Sequence, residues 1–239
     1  MGQAQWITVP ISTRDVEGPM YFSQQQWDTI EAATARIIPT DQHPGAREAK
    51  VVRFIDRMLS GTQFVFPAAD GIGFLRMEGR EEQAWAERIE LRRTLYTEGI
   101  QQLDVLSEDT FNGAFRTLDD GQQDSVLETL SGQAKPEPFA FVGLEDVGLS
   151  GAPAGNQPVN EDFLSFFPLL VLNTRQGFYG DPVYGGNENR IGWAVIGFDG
   201  PPSLASTLDG SYTTLKYMIP SAEWPYERHP EVLRYRRPK

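Results

Sequence analysis

Along the first half of this chain apolar residues recur at helical rather than strand spacing, and the breaks between the runs carry cap and turn chemistry. Phe22-Ser23-Gln24-Gln25-Gln26-Trp27 predicts a helix start, with Ser23 at the N-cap, Gln26 completing a capping box and Phe22 placed to staple onto Trp27. Trp27, Ile30, Thr34 and Ile37 then share one face, and Pro39 ends the helix. A second helix is expected after His43-Pro44-Gly45, with Val51, Phe54, Ile55, Met58 and Leu59 on its apolar face and Gly61 closing it. From Gly61 to Gly79 the pattern is irregular and reads as loop, with a short extended piece at Phe64-Val65-Phe66. Helical character resumes from Arg80 to about Glu98, where Trp85, Ile89, Arg92 and Tyr96 form one stripe and Gly99 marks a cap or kink. Ser107 is the expected N-cap of a helix carrying Phe111, Phe115 and Leu118. Asp119-Asp120-Gly121 then turns the chain into a helix with Val126, Leu127 and Leu130, making a helical hairpin.

Beyond that hairpin the pattern changes. Residues 132–158 are rich in glycine, proline and small side chains without periodicity, and read as a long insertion. Asn160 is the expected cap of the most apolar helix, reaching about Asn173, whose near all-round hydrophobicity makes it the central core element. The stretch from Gly200 onward holds Pro201, Pro202, Pro220, Pro225, Pro230 and Pro238, which forbid a long helix and favour an extended arm. The expected fold is therefore mainly α. It consists of an N-terminal extended segment (1–21), a single helical domain with long irregular loops (22–200, with the insertion at about 132–158) and a proline-rich C-terminal arm (201–239). No internal repeat is visible.

Composition narrows the function classes. The chain has 239 residues, enough for a sizeable core without a disulfide or metal staple. A net charge of -12 disfavours duplex DNA and anionic lipid. The basic exception, Arg234, Arg236, Arg237 and Lys239, reads as a solvated terminus. Zero cysteines exclude disulfides, thiolate ligation of iron–sulfur clusters, thioether-bound haem and a cysteine nucleophile. No apolar stretch reaches the roughly 20 residues needed to span a bilayer. The N-terminal residues lack a charged start and an apolar run, as expected of a cytosolic chain or one already processed.

Catalytic motifs are scarce. There is no Gly-x-Ser-x-Gly elbow and no phosphate-binding glycine motif, and Gly71-x-Gly73 stands outside any βαβ pattern. His43 and His229 are isolated, so no metal cluster is expected. Asp181 and Glu188 are the one carboxylate pair that can be posed as general acid and base. A hydrolase built on them is one competing reading; a carbohydrate-binding module that stacks aromatics on sugar rings is another.

The segment that follows the apolar helix is the most informative. Gly177-Phe178-Tyr179-Gly180-Asp181-Pro182-Val183-Tyr184-Gly185-Gly186-Asn187, continued by Gly192-Trp193 and Ile196-Gly197-Phe198, concentrates glycines whose ordering entropy must be offset by contacts. Aromatics supply that contact area at low rotamer cost. Either the segment packs on its own helices, or it faces a partner. The second reading predicts an interface of Tyr179, Gly180, Asp181, Pro182, Tyr184, Gly185, Gly186, Asn187, Trp193 and Phe198. It assigns no catalytic, cofactor-binding or metal-ligating residue to this chain.

These residues carry a resemblance. The chain resembles the small (gamma) subunit of membrane-bound, FAD-dependent gluconate 2-dehydrogenases, through Phe22-Ser23, Trp27, Ile30 and Ile37-Ile38-Pro39-Thr40-Asp41, then His43-Pro44-Gly45-Ala46, Val51 and Phe54-Ile55-Asp56. Tyr96, Gly99, Leu103-Asp104, Phe111 and Phe166-Phe167 continue it, and the segment from Gly180 to Asn187, with Gly192-Trp193 and Ile196-Gly197-Phe198, is its most specific part. The resemblance implies a non-catalytic subunit of a heterotrimer. In such a complex a large subunit holds FAD and an iron–sulfur cluster, and a multihaem cytochrome subunit holds haem c and passes electrons to membrane quinone. It further implies assistance to export of the large subunit by the twin-arginine route, a periplasmic location, and D-gluconate as substrate, with fructose and glucose as the related alternatives.

Overall fold

Ser23 sets the first helix as its sequence predicts. In the computed structural model, which describes residues 7–9, 18–68, 73–132 and 164–201, its hydroxyl accepts the Gln26 N–H at 3.3 Å, and the Gln26 side chain accepts the Ser23 N–H at 2.9 Å. Helix α1 spans Gln24–Ile37 and buries Ile30, Ala33 and Thr34. Helix α2 spans Val51–Ser60 and buries Val51, Val52, Ile55 and Leu59. Gly45, in the turn between them, packs so closely under Ile38 and Pro39 that a Cβ would stand 2.5 Å from the Ile38 carbonyl oxygen. The buried Asp56 carboxylate of α2 accepts the N–H groups of Met20 at 2.7 Å, Tyr21 at 3.0 Å and Phe22 at 2.8 Å. Three charge-assisted bonds thus pin the approach to α1 onto α2.

Helix α3 departs from the expectation. It runs unbroken over Gly79–Phe111, so Gly99 is neither a cap nor a kink and Ser107 is no N-cap. Gly99 is buried in mid-helix because the Phe166 ring occupies the space a side chain would need. Ser107 is also buried, and its hydroxyl donates back to the Leu103 carbonyl at 2.6 Å, the mid-helix alternative to capping. The helix ends at Asn112, whose left-handed backbone (φ 55°) closes the last turn. Phe115 and Leu118 belong to the following 3-10 turn (Phe115–Thr117) and its exit.

Helix α4 (Asp120–Ser131) opens on a second capping box, Asp119 with Gln122, so the Asp119-Asp120-Gly121 run is a helix start rather than a free turn. Arg36 grips Asp124 through two bonds, Nε at 2.9 Å and Nη2 at 2.8 Å, and also meets Asp120, tying α1 to α4. The Asp124 bond holds the Arg36 pKa above its usual range.

Helix α5 spans Phe166–Tyr179, starting after Ser165 and running past Asn173; the expected cap, Asn160, lies outside the described residues. Its role as central element stands. It packs against α1, α2, α3, α4 and α6 (Ile191–Val195), burying Phe166, Leu169, Leu170 and Phe178. Its buried Asn173 is satisfied by the Tyr96 hydroxyl, which donates to it at 2.9 Å.

Between α2 and α3, Phe64 closes a 3-10 turn (Thr62–Phe64) instead of an extended piece. Strand β2 (Phe74–Arg76) pairs antiparallel with β1 (Ile7–Val9), Thr8 opposite Leu75. Apart from this two-stranded ribbon the fold is mainly α, as its sequence predicts. Residues 133–163 and 202–239, which hold all but the first residue of the expected insertion (about 132–158) and of the expected arm (201–239) with its basic end and His229, lie outside the described residues, as does Gly71 of the Gly71-x-Gly73 pair.

Candidate functional site

The glycine and aromatic segment folds back on its own helices. After α5 the Asp181 carboxylate accepts the Val183 N–H at 2.9 Å and starts a 3-10 turn, Pro182–Tyr184. Gly185 then takes a left-handed backbone (φ 107°) against Cδ and the guanidinium of Arg57, and its carbonyl accepts the Nε–H of Arg53 at 2.6 Å. Gly186 presses against the carbonyl of Gly177 on α5, and Gly192 against that of Phe178, at approaches only a residue without Cβ permits.

Asn187 closes the loop. Fully buried, its Nδ2 donates to the Gly180 carbonyl and its Oδ1 accepts the Gly192 N–H, both at 2.8 Å, so one side chain joins the two ends. Its backbone is left-handed (φ 47°), as are those of Asn189 and Arg190, and asparagine tolerates this better than most residues. The next residue, Glu188, donates its N–H to the Ala49 carbonyl at 3.1 Å and pairs its carboxylate with Arg53. Trp193 of α6 is buried, its indole N–H donating to the Tyr179 carbonyl at 2.7 Å while Phe198 meets its ring edge at 5.2 Å.

Helices α2 and α5 therefore supply the surface that offsets the ordering entropy of the glycines. Of the ten residues predicted for a partner interface, Gly185, Gly186, Asn187 and Trp193 are buried within the chain. Gly180, Asp181, Pro182, Tyr184 and Phe198 are half-buried, and Tyr179 is 41% exposed. Among the described residues Ile196, three positions after Trp193, is the most exposed large apolar residue at 57%. The residues that brace the segment, Arg53 and Arg57, escaped the sequence reading because they sit on α2 and carry no local sign of a partner more than a hundred positions away.

Electrostatics fit a structural role. Asp181 and Glu188, posed as an acid and base, are each committed elsewhere, one to a turn amide and the other to Arg53. Burial pulls the Arg57 pKa down to about 10, with the neighbouring Arg53 charge adding to the effect. The Tyr184 hydroxyl is pushed up by burial and by Asp181. His43 is exposed in its turn, with its N–H on Asp41 at 2.7 Å. No group of three or more His, Asp or Glu side chains is placed to hold a metal among the described residues, and no described helix is long and apolar enough to cross a membrane. A groove of about 350 Å³ beside Tyr184 is lined chiefly by apolar side chains, including Phe54, Met58, Trp85 and Ile89.

Neither a curated protein nor a solved structure matches this chain. A family model described as gluconate 2-dehydrogenase subunit 3 matches residues 24–200, which take in every described helix and the whole folded segment. The chain belongs to the gluconate 2-dehydrogenase subunit 3 family.

Proposed function

We propose that this chain is the non-catalytic small subunit of a heterotrimeric, membrane-associated dehydrogenase that oxidises D-gluconate to 2-keto-D-gluconate. The observation that carries the reading is the family match over residues 24–200. A large subunit with FAD and an iron–sulfur cluster performs the oxidation, and a multihaem cytochrome c subunit accepts the electrons. The small subunit stabilises the flavoprotein and assists its maturation and twin-arginine export to the periplasmic face of the inner membrane. A chain with no cysteine has no thiolate to hold an iron–sulfur cluster or to anchor haem c, which suits a partner that organises redox centres held by others. Its prefolded Gly180–Phe198 segment suits docking with little ordering cost.

The test is co-expression of the flavoprotein and cytochrome subunits with and without this chain, followed by gluconate-dependent reduction of an artificial acceptor in isolated membranes. Activity and flavoprotein level should fall together when the chain is omitted, and the purified chain should turn over nothing. Full activity without it, or turnover by it alone, would overturn the reading.

A further inference from the structure

We propose that Asn112 is a site of spontaneous covalent modification, at which its side-chain amide is lost through a cyclic imide formed with Gly113. Asn112 is exposed at the C-terminal cap of α3, and its carboxamide makes no hydrogen bond among the described residues. The following residue is glycine, so no Cβ hinders approach of the backbone nitrogen to the asparagine Cγ. The Gly113 N–H is likewise without a hydrogen-bond partner among the described residues, which leaves that nitrogen available.

The step needs only water. The Gly113 nitrogen, giving up its proton, attacks Cγ of Asn112; the Cγ–Nδ2 bond breaks and ammonia leaves, forming a five-membered imide. Water then opens the ring at either carbonyl, returning aspartate or its backbone-shifted isomer, isoaspartate. Nothing is oxidised or reduced. In the folded cap ψ of Asn112 is 44°, which holds the attacking nitrogen away from Cγ, so closure requires the last turn of α3 to open. Helix ends fray readily, and this one lacks the basic residues that would steady it. Each product adds a negative charge where Glu108 and Asp109 already oppose the helix dipole, so modification favours further fraying.

Other asparagines serve as internal controls. Asn173 and Asn187 are buried with their carboxamides bonded. Asn189 is exposed and left-handed like Asn112, but Arg190 follows it. In Gly113→Ala the new methyl meets Leu118 Cδ2 at 3.5 Å and Thr117 Oγ1 at 3.6 Å, ordinary contacts that leave the fold intact.

The experiment incubates the purified full chain in warm, mildly alkaline buffer and follows each asparagine by peptide mapping, with isoaspartate detected by enzymatic methylation. Aspartate and isoaspartate should accumulate at position 112 well ahead of position 189, and Gly113→Ala should suppress them. An unchanged Asn112, equal conversion at Asn189, or undiminished conversion in Gly113→Ala would overturn the proposal.

Discussion

Gly99 and Phe166 are a lock between α3 and α5: the aromatic ring lies against the glycine Cα, inside the volume a Cβ would need. The ring also meets Tyr96 edge-on at 5.5 Å, one turn earlier on α3. Gly99→Ala would gain up to about 1 kcal/mol of helix propensity. Overpacking against an immobile ring costs about 1–3 kcal/mol, so the net effect is destabilising. Denaturant unfolding of Gly99→Ala, Phe166→Leu and the double variant checks this, because the smaller side chain should recover part of the loss. Additive effects would mean that the two residues do not interfere.

That lock shows what was legible in the sequence and what was not. Both capping boxes, Ser23 with Gln26 and Asp119 with Gln122, lie within four residues, and local spacing suffices to find the first of them and to place a turn at the second. Local propensity also makes Gly99 a cap or kink and Ser107 an N-cap, which the unbroken α3 contradicts. The side chain that makes Gly99 necessary comes from α5, and the carbonyl that takes up the Ser107 hydroxyl keeps it within the helix. Likewise the glycines after Gly177 announce that a surface is required, but α2 and α5 as that surface emerge only when Arg53 meets Gly185 and Gly186 meets Gly177.

Asp56 should be the most sensitive polar position on α2. Its carboxylate is 1% exposed and accepts three N–H groups. Asparagine at this position keeps one acceptor oxygen and turns an NH2 group toward backbone donors. Hydrogen bonds to charged groups are worth about 1.5–3 kcal/mol each, so Asp56→Asn should cost at least about 3 kcal/mol. Chemical denaturation reads the loss, and a change below about 1 kcal/mol would mean that residues 20–22 are held by other contacts.

Asn187 makes a different prediction, because its side chain bridges two backbone positions within one loop. Asn187→Ala leaves a buried carbonyl at Gly180 and a buried N–H at Gly192 without that partner, at a cost of about 1–3 kcal/mol for each group that water does not reach. Amide exchange should accelerate in residues 185–193 while the α3 core stays protected. Uniform acceleration throughout the molecule would show instead that the loop unfolds only with the whole domain.

The turn between α1 and α2 carries a pH dependence. Glu48 accepts the Thr40 hydroxyl at 2.7 Å and the Gly45 N–H at 2.8 Å, and the Thr40 bond is the largest of the causes that hold its pKa below the usual carboxylate value. A carboxyl whose folded pKa is depressed contributes stability that is present above its unfolded pKa and lost as pH falls through the folded one. Thr40→Val should therefore shrink the stability lost from Glu48 on the acid side and leave the slope near neutrality unchanged. Thermal melts across the acidic range check it; an unaltered acid limb would show that the Thr40 bond does not set this linkage.

The partner-interface reading now turns on exposure. Trp193 is buried and bonded to Tyr179 within the chain, so Trp193→Ala should lower stability by about 3–5 kcal/mol whether or not a partner is present. Loss of assembly in that variant would not identify a contact. Tyr179 and Ile196 are instead the exposed large apolar side chains of this segment. If these side chains dock the flavoprotein, Tyr179→Ala and Ile196→Ser should each weaken co-purification by about 2 kcal/mol while the melting temperature of the free chain stays put. Undiminished recovery of the flavoprotein by both variants would move the contact to another face, and a lowered melting temperature would return these side chains to the fold itself.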